Sequence, residues 1–437
     1  SLRAGRTTFE SVSPPRVERT SVKIVVLGAG LIGVSTAYHL ARAGHRVVVI
    51  DRQPGPGLET SYANGGQLSA SHATPWSNPQ TPRRLLAWFG RADAPLAFAL
   101  RWDPAMWGFF LRFLAQCRAA RSDANAATVL RLALYSRARL AQLRSETSIA
   151  FDAEDRGILH IYRSAQELER AAAAAERFRP LGLETEDLNA RACVALEPAL
   201  AGVRETLAGG IYSPGDLSGD AHAFTMGLAQ LCADAGVEFR FRTRVTRLAR
   251  MGGRITGAMT DRGMVTADRY VLALGSYSPL LLAPLGIRLP VYPAKGYSAT
   301  VPVKGSNLAP RVSLTDDDRK IVMSRLGDRL RIAGMADFNG YNTDVVGARA
   351  RAVLRAGLEL FPDGLDADAA EFWAGLRPLT PDGVPIIGPT RYPNLILNTG
   401  HGTLGWTLAC ASGRIAADIA TGAEPEIDVS DIGPDRF

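Results

Sequence analysis

The chain has 437 residues, 46% hydrophobic and 21% charged, which suits two or three packed domains and excludes global disorder. No run of 18 or more uncharged apolar residues occurs, so no transmembrane helix is expected. The formal charge of +7 comes from 46 Arg and 4 Lys spread along the chain, with no dense basic run, zinc-finger or RNP-like pattern, so no nucleic-acid partner is expected.

In chain order, residues 1–21 lack the apolar segment of a secretory signal and read as a leader or extension. Residues 22–51 read as strand, turn, helix and strand: KIVVLGAG, LIGVSTAYHLARAG and HRVVVID. The near-continuous β-branched runs suit strands buried on both faces. Residues from Thr74 to Asp103 read as loop, and Pro104 to Glu146 as helical. A strand is expected at 157–162 and an exposed Ala/Glu/Arg helix at 164–179. GGIYSPGDLSGD reads as strand and loop, AHAFTMGLAQLCADAG as a helix, and VEFRFRTRVTRLA as a strand. ITGAMTDRGMVTADRYVLALG reads as a hairpin and a buried strand. After Leu289, KGYSATVPV, KIVMSRL and DRLRIAG alternate in polarity, which predicts an antiparallel sheet with one wet face. NLILNTGHGTLGWTLACASGRIAADIATG closes the chain as strand, Gly-rich turn and helix.

The expected fold class is therefore α/β: a Rossmann-like nucleotide-binding domain, discontinuous in sequence, with an inserted α+β substrate domain containing an antiparallel sheet. Its expected pieces are 22–74, 201–286 and 372–437 for the first, and 75–200 and 287–371 for the second.

VLGAGLIG places Gly28, Gly30 and Gly33 in GxGxxG spacing. Gly28 permits the tight turn, Gly30 the approach of a pyrophosphate, and Gly33 close helix–strand packing. The helix N-terminus offers free N–H groups to phosphate. Asp51 ends the second strand, where a ribose-binding acid belongs. Gly275 and Ser276 in YVLALGSYS, with Gly400, Gly402 and Gly405 in NTGHGTLGWT, favour FAD over NAD; the competing reading is that they are plain packing turns. FWAGLRPLTPDGVPIIGPT sets Arg377 in what reads as a buried turn. A buried charge needs a partner. That partner is either an internal carboxylate, for instance Asp382 in the same turn, or it arrives as a ligand. The four cysteines form no CxxC pair and have no His at ligand spacing, so they read as ordinary thiols of a reducing compartment and no metal is expected.

These blocks, with YVLALGSYSPLLLAPLGIRLPVYPAKGYS, resemble bacterial D-amino acid dehydrogenases, the FAD-containing small subunit, within the D-amino acid oxidase and glycine oxidase group. The resemblance covers residues 22–437. It implies oxidative deamination of D-amino acids, FAD as cofactor, and electrons passed to a quinone or respiratory acceptor. It implies a cytoplasmic location, with peripheral contact to the inner membrane. It places Gly28, Ala29, Gly30, Leu31, Ile32, Gly33, Asp51 and Arg52 at the cofactor. Ser61, Asn64, Gly65, Gly66 and Gln67 of the SYANGGQLSASHATPW loop join them. So do Val245, Gly275, Ser276, Gly400, His401, Gly402, Thr403 and Leu404. It makes Arg377 the holder of the substrate carboxylate, with Tyr297 and His401 as further substrate contacts and Lys295 near the flavin. No side-chain base is required, because the lone pair of a neutral amine helps expel hydride. The other five histidines read as surface or core residues.

The SASHATPWSNPQTP stretch departs from the family, which keeps D-proline and hydroxyproline open as substrates. An oxygen-using oxidase of glycine or secondary amines also fits these motifs, and so does a non-catalytic nucleotide-binding module. LAFALRWDPAMWGFFLRFL (96–114) mixes Trp102 and WGFF with Arg101 and Arg112, which suits a surface lying among lipid headgroups or a helix packed inside the inserted domain.

Overall fold

KIVVL and RVVVI form β1 (Lys23–Leu27) and β2 (Arg46–Ile50), paired in parallel, with α1 (Leu31–Arg42) crossing between them. Both strands are buried along nearly their whole length, as their apolar runs require. The computed structural model describes residues 21–88, 94–98, 102–305 and 307–437. The leader expected at 1–21 lies, but for Ser21, outside the described residues, as does Arg101.

β1 and β2 sit inside a six-stranded sheet. On one side Arg269–Leu272 and Leu395–Thr399 continue it in parallel, and Ile386–Pro389 closes that edge antiparallel. On the other, Glu238–Arg240 pairs with β2 in parallel. The Gly405–Thr421 helix packs beside α1 on one face of this sheet, where Ser35 Oγ donates to the Ala409 carbonyl (3.0 Å).

A nine-stranded, mostly antiparallel sheet faces it. Its functional half runs Glu371–Leu379, Tyr292–Pro302, Arg329–Phe338, Ile321–Leu326, Ser313–Asp316 and Ile158–Tyr162. Only one face was expected to be dry. In fact the Tyr292–Pro302 strand is buried at every residue but its last, because the Gly347–Leu360 helix covers the far face.

Three expectations change. The Gly-Leu-Arg-Pro segment is no turn: it is the end of the Glu371–Leu379 strand, with Arg377 opposite Ala294. Hydrogen bonds also place Gly209–Ser213 and Glu371–Leu379 in the nine-stranded sheet, whereas boundaries at 201 and 372 had put the first, and all of the second but Glu371, with the nucleotide-binding domain. The segment from Thr74 to Asp103 contains a helix, Thr81–Trp88, and a short strand, Leu96–Phe98. Its prolines suggested loop, but Pro82 occupies the first helical turn, where proline is tolerated.

Candidate functional site

Between the two sheets lies a cavity of about 980 Å³, lined by residues of both. One end is the β1–α1 turn. Gly28 adopts φ +108°, and a Cβ there would stand 2.5 Å from the Ala273 carbonyl oxygen, so only glycine lets the chain pass. Gly33 has no cavity surface; a Cβ on it would collide with Gly28, which makes it the packing glycine. α1 begins with no side-chain cap from its N-cap residue and no acidic residue in its first turn, and Gly30, Leu31 and Ile32 line the cavity. Such a helix end is a ready anion site. Ser61 Oγ accepts the Leu31 N–H (3.1 Å). The Asp51 carboxylate accepts the N–H groups of Ala29 (2.7 Å) and Gln53 (2.8 Å); burial pushes its pKa up, and these two bonds oppose the rise. Ala29 takes part through that bond alone. Arg52 pairs with Glu59 (2.6 Å) and lies over the Tyr277 ring (4.0 Å).

Asn64, Gly65, Gly66, Gln67, Val245, Gly275 and Ser276 all line the same cavity. So do His401, Gly402, Thr403 and Leu404, which lead into the uncapped start of the Gly405–Thr421 helix. Gly400 lies behind them: a Cβ there would sit 2.7 Å from Thr380 Cγ2. His401 shares a hydrogen bond between Nε2 and Ser412 Oγ (2.9 Å), and burial pushes its pKa down to about 3, so the ring is neutral at working pH.

At the sheet side of the cavity stands Arg377. Its guanidinium lies across Gly296 so closely that a Cβ there would collide with it. Nη1 donates to the Met335 carbonyl (2.7 Å). Met335 holds φ +59° beside a register shift between the two strands, a strained conformation that presents its carbonyl to the arginine. No carboxylate pairs with Arg377 among the described residues. Asp382 is taken by Arg436 (2.8 Å). Burial pushes the Arg377 pKa down to about 10, with Asp337 pulling the other way, so the group stays cationic. Half-buried, with a guanidinium fork whose partners among the described residues are carbonyls, this side chain has donors left that suit a carboxylate.

Two expected neighbours are placed otherwise. Tyr297 lines the cavity, but its hydroxyl donates to Asp337 (2.7 Å), which also pairs with Arg349 (2.6 Å), so its one proton is already committed. Lys295 is fully buried and has no cavity surface; its Nζ donates to Asn342 Oδ1 (2.7 Å) and the Asp344 carbonyl (2.9 Å). It clips a loop to the sheet.

A group that sequence reading passed over also lines the cavity: His72, His160, Tyr162 and Asp317. His160 joins Asp317 (2.8 Å) and Ser71 (3.1 Å), and stacks on His72 at 5.8 Å. Burial pushes the Asp317 carboxyl up, but the bond and charge of His160 outweigh it and hold the group well below the usual range. Burial and the neighbouring His160 push His72 down to about 4. Their chain separation left no local pattern to find.

The cradle fits FAD: an open helix end for phosphate, an acid at the end of β2, and a second helix start across the cavity. Residues 23–419 match the model of the FAD dependent oxidoreductase family. The chain belongs to that family. Its cofactor is FAD. Within the family it is 54% identical over 417 residues to a D-amino acid dehydrogenase of Paramagnetospirillum magneticum, covering 95% of this chain and 99% of that one. It is 51% identical over 410 residues to a D-amino acid dehydrogenase of Dechloromonas aromatica, covering 93% and 98%. Among solved structures it resembles glycine oxidase from Geobacillus kaustophilus, with TM-score 0.76, 23% identity, and coverage of 95% and 100%. L-proline dehydrogenase from P. horikoshii gives TM-score 0.75 and 18% identity, covering 95% and 98%. At these identities the two structures establish the fold alone.

Proposed function

We propose that this chain oxidatively deaminates D-amino acids. The observation that carries the reading is Arg377, a half-buried cation without a carboxylate partner among the described residues, set in the wall of the cavity that holds the dinucleotide cradle. FAD, when bound, supplies the acceptor for a hydride from the substrate. The chain's own work is binding and placement. Arg377 anchors the α-carboxylate, Gly296 leaves room for it, and the Asp337–Arg349 pair with Tyr297 stiffens the sheet behind it. His401, neutral at working pH, adds a polar wall without adding charge. The relatives named D-amino acid dehydrogenase support the D configuration. The test is an anaerobic bleaching screen of the yellow protein over D- and L-amino acids. Bleaching by D-amino acids is expected; bleaching by L-amino acids alone would overturn the reading.

We further infer a membrane quinone as acceptor and an anionic lipid surface as the docking partner. The Pro104–Gln116 helix buries Met106, Phe109 and Phe113 but exposes Trp107 (46%), Leu111 (71%) and Leu114 (45%), with Trp102 91% exposed beside it. The helix contains no acidic residue, and Arg112 and Arg118 are exposed at its flank. Tryptophan, leucine and arginine together suit the headgroup layer. Phe110 and Phe113 on its inner side line the cavity, which supports an acceptor arriving from that side. None of the described helices is long and apolar enough to cross a membrane. Stoichiometric peroxide, with no reduction of a short-chain ubiquinone analogue, would overturn the acceptor inference.

A further inference from the structure

Arg331 is a buried guanidinium that nothing above uses. It stands in the Arg329–Phe338 strand, 5% exposed, and no carboxylate pairs with it among the described residues. Its Nε donates to Thr300 Oγ1 (2.7 Å) and its Nη1 to the Asn64 carbonyl (3.0 Å). Burial pushes its pKa down, and the charge of Asp220 only partly offsets that. A buried cation retained without a close counter-charge is costly, so what it touches matters.

It touches the back of the cofactor loop. Asn64, Gly65, Gly66 and Gln67 line the cavity on one side and lie on the sheet with the other. A Cβ on Gly65 would sit 2.5 Å from Val322 Cγ2, so the loop is pressed flat. Ser324 Oγ donates to the Gly65 carbonyl (2.7 Å), and Asn64 Oδ1 accepts the Gly66 N–H (3.0 Å). The Asn64–Gly65 peptide is trans. In a trans peptide the C=O and N–H point in opposite directions. With the Asn64 carbonyl turned to Arg331, the Gly65 N–H points away from that arginine; Gly65 lines the cavity, and its N–H makes no hydrogen bond among the described residues. A cation on the carbonyl polarises the peptide and makes that N–H a stronger donor.

We propose that Arg331 is a positioning residue for FAD that acts through the Asn64–Gly65 peptide: it aims the Gly65 N–H into the cavity and strengthens it as a donor, favouring negative charge on the flavin. The proposal rests on the flavin reading of the cavity and adds a tuning element to it.

The test uses the FAD-loaded full chain and sulfite, a small anion whose addition to oxidised flavin is read as loss of yellow absorbance. Arg331→Met and Arg331→Gln are expected to retain FAD and to raise the sulfite Kd at least tenfold. Arg331→Lys, which keeps the charge, stays within threefold of the parent. Ser324→Ala, which releases the neighbouring carbonyl without removing charge, also stays within threefold. Unchanged sulfite binding in the Met and Gln variants overturns the proposal. So does an equal change in Ser324→Ala, which would make Arg331 a loop clamp only. Should Met and Gln both lose FAD, Arg331→Lys decides: a sulfite Kd more than threefold from the parent overturns it. A parent chain that binds no FAD would defeat the underlying reading, whereas a yellow parent with indifferent variants defeats only this one.

Discussion

The buried Asp382 carboxylate pairs with the half-buried Arg436 at 2.8 Å, and this pair removes the acid nearest to Arg377 in the sequence as its partner. Arg436 also donates to the Val384 carbonyl (2.6 Å) and so ties the C-terminus over the end of the parallel sheet. Arg436→Met strands a buried carboxylate. The expected loss is about 3–5 kcal/mol of stability, read by urea unfolding, with KM for a D-amino acid unchanged. A raised KM at normal stability would contradict the separation of the two arginines.

Arg377→Ala should leave FAD bound and the fold intact. Arg377→Lys keeps the charge but loses the fork, at a cost of about 1–3 kcal/mol seen chiefly in KM. The informative comparison is kcat/KM for an amino acid and for its decarboxylated amine, in parent and Arg377→Ala. The amino acid should lose far more. Equal losses would make Arg377 a structural residue.

Asp51 holds two backbone N–H groups in addition to its expected ribose contact. Asp51→Ala should weaken FAD binding by about 1.5–3 kcal/mol, and Asp51→Asn, which keeps an acceptor oxygen, by less. Release of FAD on dilution, followed by its fluorescence, measures both. Identical retention in parent and Ala variant would remove Asp51 from the site.

His401 has a folded pKa of about 3 against 6.5 for an unperturbed imidazole. A depressed histidine pKa means that the unfolded chain binds the proton first. Stability is therefore fully present above pH 6.5 and falls as pH drops toward 3, by at most about 1.4 kcal/mol per pH unit from this group. His401→Asn should flatten that slope by up to one proton. Thermal unfolding between pH 7 and pH 4 checks it; parallel slopes would show that His401 is not held neutral.

Trp107→Ser with Leu111→Ser should abolish co-sedimentation with anionic liposomes, leaving phenazine-linked activity within about twofold, since these changes lie outside the packed core. Phe110 is unsuitable for this test because it packs on Phe98 and Phe338 at 4.9 Å. An unmutated protein that stays wholly in the supernatant would dismiss the lipid surface.

The β1–α1–β2 unit and Asp51 were legible because their signals are local: β-branched runs, glycines at fixed spacing, an acid at a strand end. Arg377 was legible as an anomaly of charge among apolar residues, yet its setting was misread. Pro378 and Gly375 suggest a turn, but both belong to the edge strand Glu371–Leu379, and Gly296 on the neighbouring strand leaves the room that the Arg377 guanidinium crosses. Lys295 and Tyr297 were chosen for rarity and residue type; side-chain direction takes Lys295 out of the cavity, while Tyr297 lines it with its hydroxyl proton given to Asp337. Which way a strand residue points depends on register, and register depends on the partner strand. The His160–Asp317 pair joins residues 157 apart in the chain, which no local period encodes.

The cavity wall is drawn from both sheets, so whatever fills it acts as a keystone. Mass action then sets how long the protein keeps its shape on the bench. With free cofactor at a hundredfold excess over its Kd, the native state gains about 2.7 kcal/mol; as dilution strips the cofactor away, that margin disappears. A preparation losing colour is thus also losing heat resistance, and storage with added FAD should slow both losses together.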